Sequence, residues 1–275
     1  MLTNENNNPL LKKLNKSNTL PPMTYRLPSK GLPYENGELS DEVIDGEFLI
    51  YPMSMLDEIY LKTPDMLFQG TAIEKTISRC CPQLLKPLDL LSKDVDFVLT
   101  AMRQVSYGNI LSVDFKCECE KSKQIELEIP ISGFINTAKS ITPETLNNLT
   151  FELEGFLIKV KYVTFSQMLA LNAVNSLETP DEIFETFVKN LAANIESIDE
   201  VDNVDNILEF IRMQTRHFQL ELLKKIQTVN EWGVDFDYTF TCKWCNTKQT
   251  YPISLNPTSF FTEPSDQEVL KKRSA

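Results

Sequence analysis

Six cysteines share a 275-residue chain with a single histidine, His217. They fall in three pairs: Cys80–Cys81, Cys117–Cys119 and Cys242–Cys245. A C-x-x-C turn offers two thiolates from one tight loop, and two such turns complete the closed tetrahedral site that structural zinc prefers. Cys242-Lys-Trp-Cys245 has that spacing. Cys117-Glu-Cys119 is one residue tighter, and Glu120 stands where the second ligand of a C-x-x-C would fall. Cys117, Cys119, Cys242 and Cys245 are therefore the candidate ligands of one structural zinc. The competing readings are a metal-free turn carrying ordinary thiols and a redox dithiol, the latter lacking any βαβ pattern around Cys242.

The segments around the two pairs are alike. Val113-Asp-Phe-Lys-Cys-Glu-Cys-Glu-Lys-Ser-Lys-Gln-Ile and Asp237-Tyr-Thr-Phe-Thr-Cys-Lys-Trp-Cys-Asn-Thr-Lys-Gln-Thr each run from alternating strand through the cysteines to a polar turn containing Lys-Gln. Such a repeat of a knuckle lets one metal tie together parts of the chain more than a hundred residues apart. Cys80–Cys81 ends an expected helix and reads as a pair of small buried apolar groups. With no second histidine, His217 reads as a surface or packing residue. No G-x-S-x-G, G-x-x-x-x-G-K-[ST] or G-x-G-x-x-G occurs, and eight glycines leave little material for phosphate loops. No residue stands out as catalytic or as the binder of a small-molecule substrate, and the expectation is a non-enzyme.

Periodicity supplies the elements that position these residues. Residues 1–22 are polar and Asn-rich and read as a disordered tail without a secretory h-region; residues 23–52 as an extended arm and short strand; residues 53–109 as a helical block. In that block Thr63-Pro64 and the box Thr71-Ala-Ile-Glu74 open helices, Pro82 stops one, and Gly108 ends the last. Residues 110–164 read as a β region with the first knuckle and a second hairpin around Gly155; residues 165–228 as a helical insertion; residues 229–262 as the second knuckle and its strands; residues 263–275 as a polar tail. Within the insertion, Thr179-Pro-Asp-Glu182 opens a helix, and one stripe from Val204 to Ile226 predicts a single helix of roughly 35 Å. The acidic run Glu196 to Asp205 reads as a solvated loop, with a cation or partner site as the alternative. The fold class is α+β: a helical N-terminal block and a zinc-ribbon-like β region of two cysteine knuckles, with a helical insertion between them.

A formal charge of −12 argues against a nucleic-acid partner, and no apolar run is long enough to span a membrane. The order of Leu27-Pro-Ser-Lys-Gly-Leu-Pro-Tyr34, Gly46-Glu-Phe-Leu-Ile-Tyr-Pro-Met53, a helical block with Arg79-Cys80, and Leu91 to Gly108 leading into the first knuckle resembles a family of baseplate proteins from T4-like contractile-tailed bacteriophages, associated with the central hub and its assembly. The resemblance is best over residues 24–130 and returns at the second knuckle. That family usually reads C-x-x-C at the first knuckle, so Cys117-Glu-Cys119-Glu120 departs from it. The resemblance implies a structural subunit or assembly factor of the tail baseplate hub, with other phage baseplate or hub proteins as partners. Its expected location is the host cytoplasm during assembly and the virion tail baseplate. The alternative is a zinc-ribbon adaptor contacting transcription machinery. The Pro- and Gly-containing arm either drapes over such a partner or packs along its own domain.

Overall fold

Alternation of apolar residues and glycine-marked turns pairs the chain's strands locally, and helices close the faces they leave. The computed structural model describes residues 21–117, 124–147, 149–172 and 179–261. Strand β1 (Met23–Arg26) runs antiparallel to β2 (Glu47–Ile50), with Phe48 and Ile50 turned into the core. Between them Gly46 has φ +74, and a Cβ there would lie 2.7 Å from the Lys30 Cα. Only glycine lets the return strand pass so close beneath the arm.

The arm packs on its own domain. Ser29 N–H donates to Asp94 Oδ1 (3.1 Å), and the Tyr34 hydroxyl donates to Asp94 Oδ2 (2.6 Å) while accepting the Leu91 N–H (2.9 Å). Ile141 N–H closes the far side on the Pro28 carbonyl (2.9 Å).

Helices α1 (Met55–Leu61), α2 (Pro64–Phe68), α3 (Thr71–Cys80) and α4 (Ser92–Tyr107) form the helical block, with a 3₁₀ turn at Pro87–Asp89. Buried Asp57 organises the first of them, accepting the Ser54 amide (2.8 Å) and the Arg79 Nε (2.7 Å). Thr71 is not the cap its box predicts. Gly70, in the left-handed region at φ +74, precedes the helix, and the Thr71 hydroxyl bonds the Met66 carbonyl instead. Helix α4 buries Val95, Val98, Leu99 and Met102 and ends at Gly108.

Next come β3 (Ile110–Lys116) and β4 (Gln124–Pro130), an antiparallel hairpin in register Lys116↔Gln124, then short helices α5 (Ile131–Thr137) and α6 (Pro143–Asn147). Strands β5 (Thr150–Leu153) and β6 (Phe156–Val160) turn at Glu154-Gly155, and α7 (Phe165–Asn172) and α8 (Pro180–Ala193) follow. Thr179 caps α8 as predicted: its hydroxyl accepts the Glu182 N–H and the Glu182 carboxylate returns to the Thr179 amide.

Two expectations for the insertion need correcting. The run from Glu196 to Asp205, expected as a loop, begins inside strand β7 (Ile195–Ile198), which completes a three-stranded sheet in the order β5-β6-β7. The segment is thus mixed rather than wholly helical. The predicted single helix from Val204 to Ile226 is two, α9 (Val204–Met213) and α10 (Arg216–Val229). Gln214 is extended at ψ 157, and the Thr215 hydroxyl accepts the Phe218 N–H to start the second helix. Strands β8 (Asp237–Thr241) and β9 (Lys248–Pro252) form the last hairpin, followed by α11 (Pro257–Phe260).

Burial divides the chain into two cores. The first unites the arm, the helical block, both cysteine hairpins and the C-terminal Phe260-Phe261. Within it Arg103 is fully buried, its guanidinium 5.2 Å from the Tyr107 ring and 5.6 Å from Phe260, so aromatic faces receive the charge. The second core packs β5-β6-β7 against α8, α9 and α10. A small seam of Leu91, Ile141, Tyr162 and Trp232 joins them, sharing Tyr34 with the first core and Leu149 and Val229 with the second. The second hairpin, grouped by sequence with the first knuckle, belongs to the insertion's core.

Candidate metal centre

The two cysteine hairpins meet through equivalent residues. Phe115 and Phe240, each two positions before a cysteine, stack edge to face at 5.1 Å. One step further, Cys117 Sγ and Cys242 Sγ lie 3.5 Å apart although 125 residues separate them. Cys245 Sγ is 3.8 Å from Cys117 Sγ. All three sulfurs lie within 4.8 Å of one another. A tetrahedral zinc with Zn–S near 2.3 Å sets its sulfurs about 3.8 Å apart, close to the two Cys117 separations. Cys117 and Cys242 are buried and Cys245 is half-buried, all as free thiols.

Local backbone geometry explains how the second knuckle holds its sulfurs. Cys242 N–H bonds the Thr247 carbonyl (2.9 Å) and Asn246 N–H bonds the Cys242 carbonyl (2.8 Å), closing the loop on itself. The turn needs a left-handed residue directly after Cys245, which Asn246 supplies at φ +58, a conformation Asn tolerates better than most. Trp244 N–H points at Cys242 Sγ (3.5 Å).

The surroundings favour thiolate at one position. Hydrogen bonds from the Thr247 hydroxyl and amide pull Cys245 down to about 6. Gln249 Nε2 approaches Cys117 Sγ at 3.2 Å and Cys245 Sγ at 3.9 Å, a donor shared between sulfurs. The Gln249 Oε1 is buried with no hydrogen-bond partner, and exchanging the two amide atoms would aim that oxygen at the sulfurs. Gln249 and Thr247 were not singled out in the sequence. The Lys-Gln common to both knuckles was the available signal, since Gln249 sits at the repeat position of Gln124.

Of the four predicted ligands, three come together and Cys119 lies outside the described residues. Its neighbour Glu120 also does, and it holds the repeat position of Cys245. Cys80 and Cys81 stay apart from the cluster, buried, with burial pushing the Cys80 thiol up to about 12 and Cys81 upward as well. Neutral packing thiols fit that setting. His217 is exposed on α10.

A family model described as T4 bacteriophage base plate protein matches residues 53–262, which include both hairpins and the second core. The chain belongs to this family. No curated protein matches it, and no solved structure does. Membership gives the baseplate protein a setting among tail structural proteins. Among its described residues no helix is long and apolar enough to cross a membrane.

Proposed function

We propose that this baseplate protein is a structural subunit or assembly factor of the tail baseplate hub, working through contacts with other phage baseplate or hub proteins. Its two cysteine hairpins are clasped by one zinc held by Cys117, Cys119, Cys242 and Cys245. Family membership supports the baseplate role. The observation that carries the metal is the gathering of three sulfurs within 4.8 Å, two of their separations (3.5 and 3.8 Å) near the edge length of a zinc tetrahedron. When bound, zinc supplies a closed cross-link and keeps no position for water or substrate, so its contribution is stability and shape.

The protein's own residues do the rest. The stacked rings of Phe115, Phe240 and Tyr251 fix one hairpin on the other beneath the sulfurs. Trp244, half exposed beside Cys245, presents an aromatic surface from the knuckle. The second core, carried in sequence between the two hairpins, offers further contact surface. No observation favours the transcription-adaptor reading over this one.

Complementation tests the reading. Phage lacking this gene product, supplied with the wild-type chain, should form complete tails by electron microscopy and co-purify it with hub proteins. Supply of Cys242→Ser/Cys245→Ser should reduce complete tails at least tenfold. Recovery of the wild-type chain with RNA polymerase rather than tail proteins would overturn it.

A further inference from the structure

We propose that an acid-rimmed groove in the second core is a docking site for a bulky apolar side chain on a Lys- or Arg-flanked segment of another polypeptide. The inference rests on the assembly role above and names one surface through which that role acts. A cavity of about 300 Å³ opens between the β6–β7 ladder and helix α9. Phe156, Ile198, Ile207 and Phe210 form its apolar walls, with Val201 at the mouth. Its volume is at the small end of the range for ligand pockets and suits one or two apolar side chains rather than a cofactor.

The walls are fixed. Phe156 meets Phe210 edge to face at 4.8 Å and is backed by Phe218 at 6.3 Å. The turn at the mouth is closed by reciprocal hydrogen bonds between Ile198 and Val201 (2.9 and 2.8 Å). Its two central residues, Asp199 and Glu200, both have positive φ (46 and 69) although neither is glycine. Asp199 Oδ1 accepts the Leu157 N–H at 2.8 Å and braces the turn against the neighbouring strand. A two-residue turn closed in this way takes positive φ at both central positions and holds Val201 in a fixed place beside the cavity. Val201 and Val204 extend the apolar surface outward, at 44% and 59% exposure.

Charge selects the occupant. Asp199 lines the groove, Glu200 and Asp202 flank Val201, and Asp205 precedes the lining Asn206; all four are exposed. Among the described residues none of the four has a cationic partner within ion-pair distance. The cations on nearby elements are engaged elsewhere, Lys159 with Glu196 (2.7 Å) and Arg212 with Glu185 (2.8 Å). An apolar pocket with Asp199 in its lining and three more exposed carboxylates on residues adjoining that lining favours an apolar anchor between basic residues and disfavours an acidic segment. This makes functional use of the acidic run between Glu196 and Asp205.

Fluorescence anisotropy with the full-length protein tests the groove directly. The probe is a labelled peptide, Gly-Lys-Lys-Leu-Phe-Lys-Lys-Gly, with Ser-Ser replacing Leu-Phe in the control. Binding should saturate, weaken at least tenfold with Asp202→Lys/Asp205→Lys, weaken at least fivefold with Val201→Glu, and vanish for the Ser-Ser peptide. Both variants alter exposed side chains, and an unchanged circular dichroism melt shows that the fold is kept. Absent saturation, equal binding of the Ser-Ser peptide, or indifference to both variants would each overturn the proposal. A photocrosslinking residue at Val204, on the helix that lines the groove, should label a different phage protein during phage assembly, through a peptide pairing apolar with basic residues. A crosslink within the same chain or to a second copy would overturn the choice of partner. If the charge-reversal variant builds normal tails, the groove reading fails and the assembly role stands.

Discussion

Replacing Asp94 with Asn should change how the protein's stability depends on pH. Asp94 is buried beneath the arm, and burial outweighs its bonds from Ser29 and Tyr34, raising its carboxyl from 3.8 to about 6. The folded state therefore binds this proton more tightly than the unfolded state does. Its contribution to stability is fully present below pH 3.8, fades as pH rises through about 6, and is absent above. A shift of about two units corresponds to about 3 kcal/mol over the whole window, and roughly half of that appears between pH 8 and pH 5. Asn cannot titrate, so the stability difference between wild type and Asp94→Asn isolates the effect from all other groups. Urea unfolding followed by tryptophan fluorescence at half-unit pH steps measures it. Wild type should gain on the variant by about 1.5 kcal/mol as pH falls from 8 to 5. A flat difference, or one growing with pH, would refute the account of a desolvated carboxyl locking the arm.

Other perturbations probe separate joints of the fold. Gly46→Ala forces a left-handed alanine against the Lys30 backbone and should cost about 2–4 kcal/mol in urea unfolding with an unchanged m-value. Thr215→Ala removes the hydroxyl that starts α10 and should cost about 1 kcal/mol, read as a fall of several degrees in the thermal midpoint. Competition with a chelating dye separates candidates for the fourth ligand. Cys119→Ser should weaken zinc binding at least tenfold while Glu120→Gln leaves it nearly unchanged, and the reverse pattern would give the position to Glu120.

Elements with their own punctuation were legible in the sequence. Thr179 with Glu182, Gly108 after α4 and Gly155 between β5 and β6 each fix a boundary through local chemistry, and the structure keeps all three. The break between α9 and α10 was hidden because the apolar stripe runs through it. Ile207 and Ile211 on one side and Phe218, Leu222 and Ile226 on the other bury in the same core, so periodicity alone sees one helix. Strand β7 was hidden for a different reason. Ile195-Glu-Ser-Ile198 has only four residues and is made a strand by pairing with β6, a partner that local pattern does not reveal.

At the metal centre, residue type and spacing pointed to Cys242 and Cys245 directly, and the repeat brought Cys117 to them. Gln249 escaped notice because an amide among polar turn residues looks ordinary until its distance to two sulfurs is known. The arm left two options open in the sequence; burial of Leu27 and Ser29 and the bonds to Asp94 decide for packing on its own domain.

The claim that two distant hairpins are clasped by a metal is tested most directly by metal content. Full-length protein purified without chelator should contain one zinc per chain by plasma mass spectrometry, and Cys242→Ser/Cys245→Ser, purified alongside it, should contain none. A wild-type chain that arrives metal-free and takes up no zinc when the ion is offered would contradict the account.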